Sequence, residues 1–347
     1  MSAVITDPAA PLGGPDGDVP RAFGKKLSGA DRAFKRVTTG SGLAVLVIMG
    51  LVGFFLATRA GDALGEAGWS FFTTEAWDPD SGNFGVVAIL VGTILIAAVA
   101  ILVAVPLAVG TALYISEYAP RRIQRMLINL VDLMAAVPSV VYGLWGLYLL
   151  QPELLVHGPK GEGLPRWLAT YFGWVPFLTV DGVDMRDPLG NNSVFQSSTF
   201  IAGLVVAMMV SPVICSIMRE VFAQAPIGER EGAYALGATK WGMIRSVVLP
   251  FARGGMIGGT MLGLGRAFGE TIAVFMVISP LFEVQPHILQ SGASSISSLI
   301  ALRYGESSTF ALSALFAAGL TLFALTLVVN SLAAVIVSRS RSGAVSE

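Results

Sequence analysis

Residues 254–276 read GGMIGGTMLGLGRAFGETIAVFM, a glycine-rich stretch that is apolar throughout except for Arg266 and Glu270. A charge at membrane depth costs at least ~2.5–3.5 kcal/mol on insertion scales, so such residues pair, face a protein interior, or mark an ion or substrate path. Four residues apart on one helix, Arg266 and Glu270 share a face about one turn from each other. Two readings stand. The pair is an anion site whose guanidinium is neutralised by its own counter-ion, or it staples two helices and never meets a substrate. Thr271 adds a hydroxyl that can serve a ligand or bond back to its own helix. Gly255, Gly259 and Gly263, and Gly265 with Gly269, repeat at the four-residue spacing that lets membrane helices approach closely. The span is therefore expected to be central, packed on a second subunit and lining a path.

The rest of the chain fits a membrane setting. Hydrophobic residues make up 54% and charged residues 13% of the 347, against ~25% charged in a soluble domain; the mean hydropathy is +0.71. Six apolar runs, at about 42–59, 85–113, 126–150, 199–222, 255–281 and 309–337, are each long enough for the ~20 residues that a bilayer core requires. The second and last exceed one straight crossing and are expected to tilt or extend. Arg266 falls ~18 Å into the fifth run, near the middle of a ~30 Å core. The net charge of −1 says nothing about partners, whereas the charge distribution sets topology. Arg21, Lys25, Lys26, Arg32, Lys35 and Arg36 precede the first run; Arg121, Arg122 and Arg125 follow the second. Arg219, Arg230, Lys240, Arg245 and Arg253 surround the loop after the fourth, and Arg339 and Arg341 follow the last. Basic loops stay in the cytoplasm, so both termini are expected there, with residues 1–40 and 339–347 as tails around a membrane-embedded body at 41–338.

Residues 1–20 have a disorder-prone composition, and no cleavage site marks the first run as a signal peptide. Residues 22–36 form either an interfacial amphipathic helix or a basic flank that only sets topology. Cys215, the single cysteine, is expected to pack in the core. His157 and His287 fall in outer loops, no metal-ligand spacing exists, and no phosphate-cradling G-x-x-x-x-G-K-[ST] loop is present. Pro138-Ser139 and Ser211-Pro212 are candidate kinks; Ser139 either shapes a substrate path or bonds within its own helix. The outer loop 151–198, with Trp167, Phe172, Trp174 and Phe177, either docks a partner or caps the helices.

The loop at 223–253 carries a second signal. Pro226 and Gly228 end the incoming helix, Gly237 interrupts the next, and Leu249-Pro250 closes the segment. Small residues at Ala233, Ala235, Gly237 and Ala238 permit close approach of another surface; an ordinary amphipathic connector is the alternative.

Glu231-Gly232-Ala233, then Gly237, Val247 and Leu249-Pro250, resembles the EAA motif of ABC importer permeases, with Gly232 at a position where the family has Ala and Val247 in place of Ile. GLGRAFGETIAV (263–274), AVPSVVYGLWGLY (136–148), VPLAVGTALYISEYAP (105–120), and WDP at 77–79 followed by FG at 84–85, are similar to phosphate ABC transporter permeases of the PstC type. The resemblance covers roughly residues 35–338. It implies an all-α, multi-pass protein of the bacterial plasma membrane with six transmembrane helices in a type I importer permease (MetI-like) fold. It further implies a PstA-type sister permease, a dimeric PstB-type ATPase that binds ATP and Mg, a PstS-type extracytoplasmic binding protein, and inorganic phosphate as cargo. The chain itself would hold no cofactor, bind no nucleic acid, contact membrane lipid and perform no enzymatic step. Glu231, Ala233 and Gly237 would couple to the ATPase; Arg266, Glu270, Thr271 and Ser139 would line the path, with Glu270 a counter-ion or an acceptor for protonated phosphate. The rival expectations are a permease for molybdate or sulfate, and an ion-coupled transporter or channel that needs no ATPase.

Overall fold

The computed structural model describes residues 28–156, 163–182 and 192–341. The expected disordered tail at 1–20, residues 22–27 of the stretch at 22–36, His157 and the last residues of the C-terminal tail lie outside them. Contacts divide the chain into Met1–Val52 and Gly53–Glu347. The first unit is described from Ser28 and is helical from Gly29, the start of α1 (Gly29–Arg59), which begins well before the apolar run at 42–59. Leu43, Leu46 and Leu51 are exposed.

The second unit follows α1 with α2 (Gly61–Ala67), a hairpin of β1 (Trp77–Asp78) and β2 (Asn83–Phe84), and then α3 (Val87–Leu113), whose last turns, Tyr114–Tyr118, are π-helical. The WDP…FG signature is this hairpin. Phe84 sits edge-on to Phe71, Trp77 and Phe310 at 6.1, 6.5 and 5.6 Å, and any Cβ on Gly85 would collide with the Thr74 carbonyl. Next come α4 (Arg121–Ala136), α5 (Ser139–Trp145) with a π-helical continuation to Val156, α6 (Leu164–Phe172) and α7 (Thr199–Ala223). After these stand α8 (Ile227–Ala235), α9 (Lys240–Met243), a π-turn at Ile244–Val248, α10 (Leu249–Phe268), α11 (Ile272–Val277), α12 (Ile296–Arg303) and α13 (Thr309–Arg341).

Among the described residues five helices are long and apolar enough to cross a membrane, and a sixth candidate is a pair, α4 and α5, bent by 89°. The third expected span is thus broken, and it begins at Arg121. Pro138 has no N–H to give the Met134 carbonyl and crowds it; the Tyr142 hydroxyl donates to that carbonyl instead, at 2.9 Å. Arg122, Arg125, Asn129 and Asp132 share one face of α4, and Asp132 accepts from the Ser216 hydroxyl of α7 at 2.8 Å. The second proline behaves otherwise: α7 runs through Pro212 without a break.

The core is built on α3 against α7, the most extensive helix pair in the chain. Ala97, Ala100, Ala104, Ala108 and Ala112 place small buried side chains along α3, and Gly203 of α7 fits against Val99 and the Ile96 carbonyl. Cys215 is buried in this core. On the other side of α7, Gly255, Gly259 and Gly263 of α10 meet Val221, Ile217 and Ile214 in antiparallel register. The glycine ridge therefore packs on α7 of its own chain and not on a second subunit, because the four-residue repeat is satisfied within the fold. Gly258 and Gly265, on the opposite side, meet nothing within 4 Å.

Gly92 of α3 leaves no room for a Cβ beside the Ser294 carbonyl, whereas Gly110 on the same helix faces open space. Gly92→Ala is expected to lower the thermal midpoint in detergent by the equivalent of ~1–3 kcal/mol, and Gly110→Ala to leave it unchanged or raise it; equal midpoints would contradict the packing.

Candidate functional site

Arg266 lies in the last turn of α10, two residues before the helix ends at Phe268. It lines a recess of about 560 Å³ with Val213 of α7, Gly258, Met261, Leu262 and Gly265 of α10, and Asn330 of α13. Apart from Arg266 and Asn330 the lining is apolar. Val213 stands about ten residues, ~15 Å, from the α7 terminus at Ala223, so the recess opens near mid-height of the helices. The guanidinium is exposed and lies within electrostatic reach of Tyr142 on α5.

The expected Arg266–Glu270 pair does not form. Ion pairs among the described residues include Arg230–Glu117 and His287–Asp181, and neither Arg266 nor Glu270 takes part in them. The four-residue spacing brings side chains together only on an unbroken helix, and the fifth span breaks at Gly269–Thr271 before resuming as α11. Glu270 is 8% exposed and accepts from the Ala273 N–H at 3.1 Å, capping α11. Thr271 donates to the Gly269 carbonyl at 3.1 Å, the local bond that its sequence context allowed. Ser139 begins α5 at the other break, half-buried. Of the four expected path residues, Arg266 alone lines the recess.

Two contributors escaped the sequence reading. Asn330 lines the recess together with Arg266; its signal is an amide inside the apolar run at 309–337. Ser297 of α12 donates to the Phe268 and Glu270 carbonyls at 3.2 and 3.1 Å, and only the return of α12 against the break makes it relevant. Thr93 of α3 in turn accepts from the Ile296 N–H at 3.0 Å, and Ser295 with Ser298 forms a capping box, so the segment that carries Ser297 is fixed at both ends of its hydrogen-bonding.

At the opposite pole of α10 stands the segment with the motif-like residues. Gly237 has φ +83° and ends α8 with paired bonds, Ala238 N–H to the Ala233 carbonyl at 3.0 Å and Gly237 N–H to that of Tyr234 at 2.9 Å, a Schellman cap that favours glycine. Ile227, Glu231 and Tyr234 fall on one face of α8 at helical spacing and are exposed, as are Leu236 (91%) and Trp241. Ala233, on the inner face, packs against the core. Thr239 caps α9 by accepting from the Gly242 N–H at 3.1 Å. The outer face of this segment is thus open, with large apolar and aromatic side chains around the charged Glu231.

A family model described as "Binding-protein-dependent transport system inner membrane component" matches residues 104–342. The chain is 37% identical over 317 residues to the phosphate transport system permease protein PstC 2 of Mycobacterium tuberculosis, covering 90% of this chain and 93% of that one. It is 35% identical over 306 residues to the phosphate transport system permease protein PstC of Pasteurella multocida, covering 88% and 91%. Among solved structures, a bacterial ABC transporter involved in the import of the acidic polysaccharide alginate superposes with a TM-score of 0.53 at 16% identity, over 89% of this chain and 99% of that one; the likeness is one of fold.

Ser297→Ala removes the donor that serves both carbonyls at the break. Amide exchange across residues 269–273 is expected to accelerate, with a stability loss of ~1 kcal/mol; unaltered exchange would show that the break is held by packing alone.

Proposed function

This chain belongs to the family of binding-protein-dependent transport system inner membrane components, and from that premise we propose that it imports inorganic phosphate as one half of a heterodimeric, ATP-driven permease. Members of the family are transport subunits of the inner membrane that work with a partner ATPase and a substrate-binding protein; they are not enzymes. The observation that carries the phosphate reading is Arg266: among the described residues it has no hydrogen-bond or ion-pair partner, yet it faces an apolar recess near mid-height of the bundle.

An isolated cation at that depth needs an anion or a hydrated path. Guanidinium offers a planar fork of donors matched to phosphate oxygens and keeps its charge when desolvated. The recess is open on this chain, and a sister permease of PstA type would close it. Because Glu270 is engaged with α11, Arg266 is free to receive the anion, and a single fork with one amide, Asn330, beside it binds weakly enough for release. The excess of basic residues puts the α8 end and both termini in the cytoplasm. There the exposed face around Ile227, Glu231 and Leu236 would sit in a cleft of the PstB-type ATPase, which holds ATP and Mg. A PstS-type protein would deliver phosphate at the other face. ATPase closure would press on α8, rock the helices and alternate access to Arg266.

The test is ATP-dependent uptake of labelled phosphate by the full complex in proteoliposomes. Losing two charge-assisted hydrogen bonds, at ~1.5–3 kcal/mol each, puts Arg266→Ala at ~100-fold or more below wild type, with Arg266→Lys between them. Wild-type uptake by Arg266→Ala would remove the arginine from the path. Full competition by sulfate or molybdate would widen the cargo to oxyanions generally, and uptake without the ATPase would overturn the importer reading. Gly237→Ala places a Cβ at positive φ, a cost of ~1–2 kcal/mol. It is expected to reduce co-purification of the ATPase, whereas Gly232→Ala, with open space around it, leaves co-purification intact.

A further inference from the structure

On its inner face α8 carries one long charged residue, Arg230, and that residue is attached to both helices of the core. Its Nη1 lies 3.0 and 3.1 Å from the two carboxylate oxygens of Glu117, and its Nη2 donates to the Phe222 carbonyl in the last turn of α7 at 2.6 Å. The pair is largely withdrawn from solvent, the Arg230 and Glu117 side chains being 20% and 5% exposed. The third donor of the fork, Nε, is buried without an acceptor, so the arrangement is not the one that best satisfies the guanidinium by itself. Glu117 belongs to the π-helical end of α3, Tyr114–Tyr118, and single π-turns are frequent at functional sites. A second bond from the same segment reaches the same turn: the Lys240 ammonium stands 4.7 Å from the centre of the Tyr118 ring.

We propose that the Glu117–Arg230 ion pair is the link that carries movement of α8 into the α3–α7 core, and that Arg230 is a positioning residue for transport. The proposal rests on the reading of α8 as the ATPase-docking element. Ile227, Glu231 and Tyr234 form the outer face of α8 that a partner would press; Arg230 and Ala233 form the inner face that must pass the load on. Ala233 transmits it only by contact, which pushes but does not pull. A desolvated ion pair holds in both directions and keeps its geometry, because breaking it strands a charge in a low-dielectric site. Through Glu117 and the Phe222 carbonyl the displacement reaches α3 and α7 together. The recess at Arg266 is formed where α7 meets α10 and α13, so a shift of the α3–α7 pair against α10 changes the opening of the recess.

The test uses the complete reconstituted complex with Glu117→Gln, Arg230→Gln and the exchanged pair Glu117→Arg/Arg230→Glu. Each single variant is expected to co-purify with the ATPase and to hydrolyse ATP, while phosphate imported per ATP falls at least tenfold; the exchanged pair is expected to recover part of the ratio. A second readout does not depend on the cargo. In a Cys215→Ala background, a reporter cysteine at Gly258, in the recess, is labelled by a thiol reagent with and without a non-hydrolysable ATP analogue. The change in labelling rate seen with Glu117 and Arg230 in place should vanish in the single variants. An unchanged import ratio and an unchanged nucleotide response in both single variants would overturn the proposal. So would a loss of import that merely tracks the loss of co-purified ATPase, since the pair would then only hold the fold. A complex that responds to nucleotide at Gly258, loses the response in the single variants and yet imports no phosphate would sink the phosphate reading and leave the link standing.

Discussion

A bilayer offers no hydrogen bond to a backbone group, so each departure from straight helix in this chain has to be met from within. The two broken spans obey that constraint by different means. At Pro138 the Met134 carbonyl, deprived of its donor four residues on, accepts from the Val137 N–H at 3.3 Å and from the Tyr142 hydroxyl of the helix that follows the bend. At Gly269–Thr271 the free N–H of Ala273 is met by Glu270 and the carbonyls of Phe268 and Glu270 by Ser297. The second solution recruits a distant element, which explains why α12 is brought back against the break and held there by Thr93 and its own capping box. Because Glu270 is spent on the backbone, Arg266 is left without a counter-charge, and the polarity of the recess follows from how the break was repaired.

Close packing supplies the rest. Without a hydrophobic drive between helices in lipid, association depends on contact area and on small residues that let backbones approach. The alanine row of α3 and Gly203 of α7 make one such seam, and Gly255, Gly259 and Gly263 make another. α7 is thus gripped from two sides, and α8, which leaves its end, is tied to both α7 and α3 by one arginine. A Cβ at Gly258 or Gly265 of α10 would meet nothing within 4 Å, and both residues line the recess on that open side.

Much of this was legible in the sequence. Length of apolar runs, basic loops, the Pro138 break, the end of α8 at Gly237 and the singular position of Arg266 all follow from local chemistry: helix periodicity, the missing N–H of proline, the positive φ that favours glycine, and the cost of a charge in lipid. Asp132 and Asn330 carried the same signal as Arg266, a polar group inside an apolar run, and the charge-in-lipid argument applies to them equally.

What the sequence could not decide is where spacing stops implying proximity. Residues four apart meet only while the helix continues, and whether it continues past Phe268 depends on a serine nearly thirty positions away that is ready to take up the freed carbonyls. Likewise Glu117 and Arg230 are ordinary charges at the ends of two helices until the fold sets one against the other, since a contact over 113 positions has no local trace. The sequence by itself determined that this is a helical membrane protein with an arginine inside an apolar span and a glycine-capped loop between two spans. Only the tertiary structure decided which groups that arginine is free of and which helices that loop is fastened to, because both depend on long-range hydrogen bonds made at helix ends.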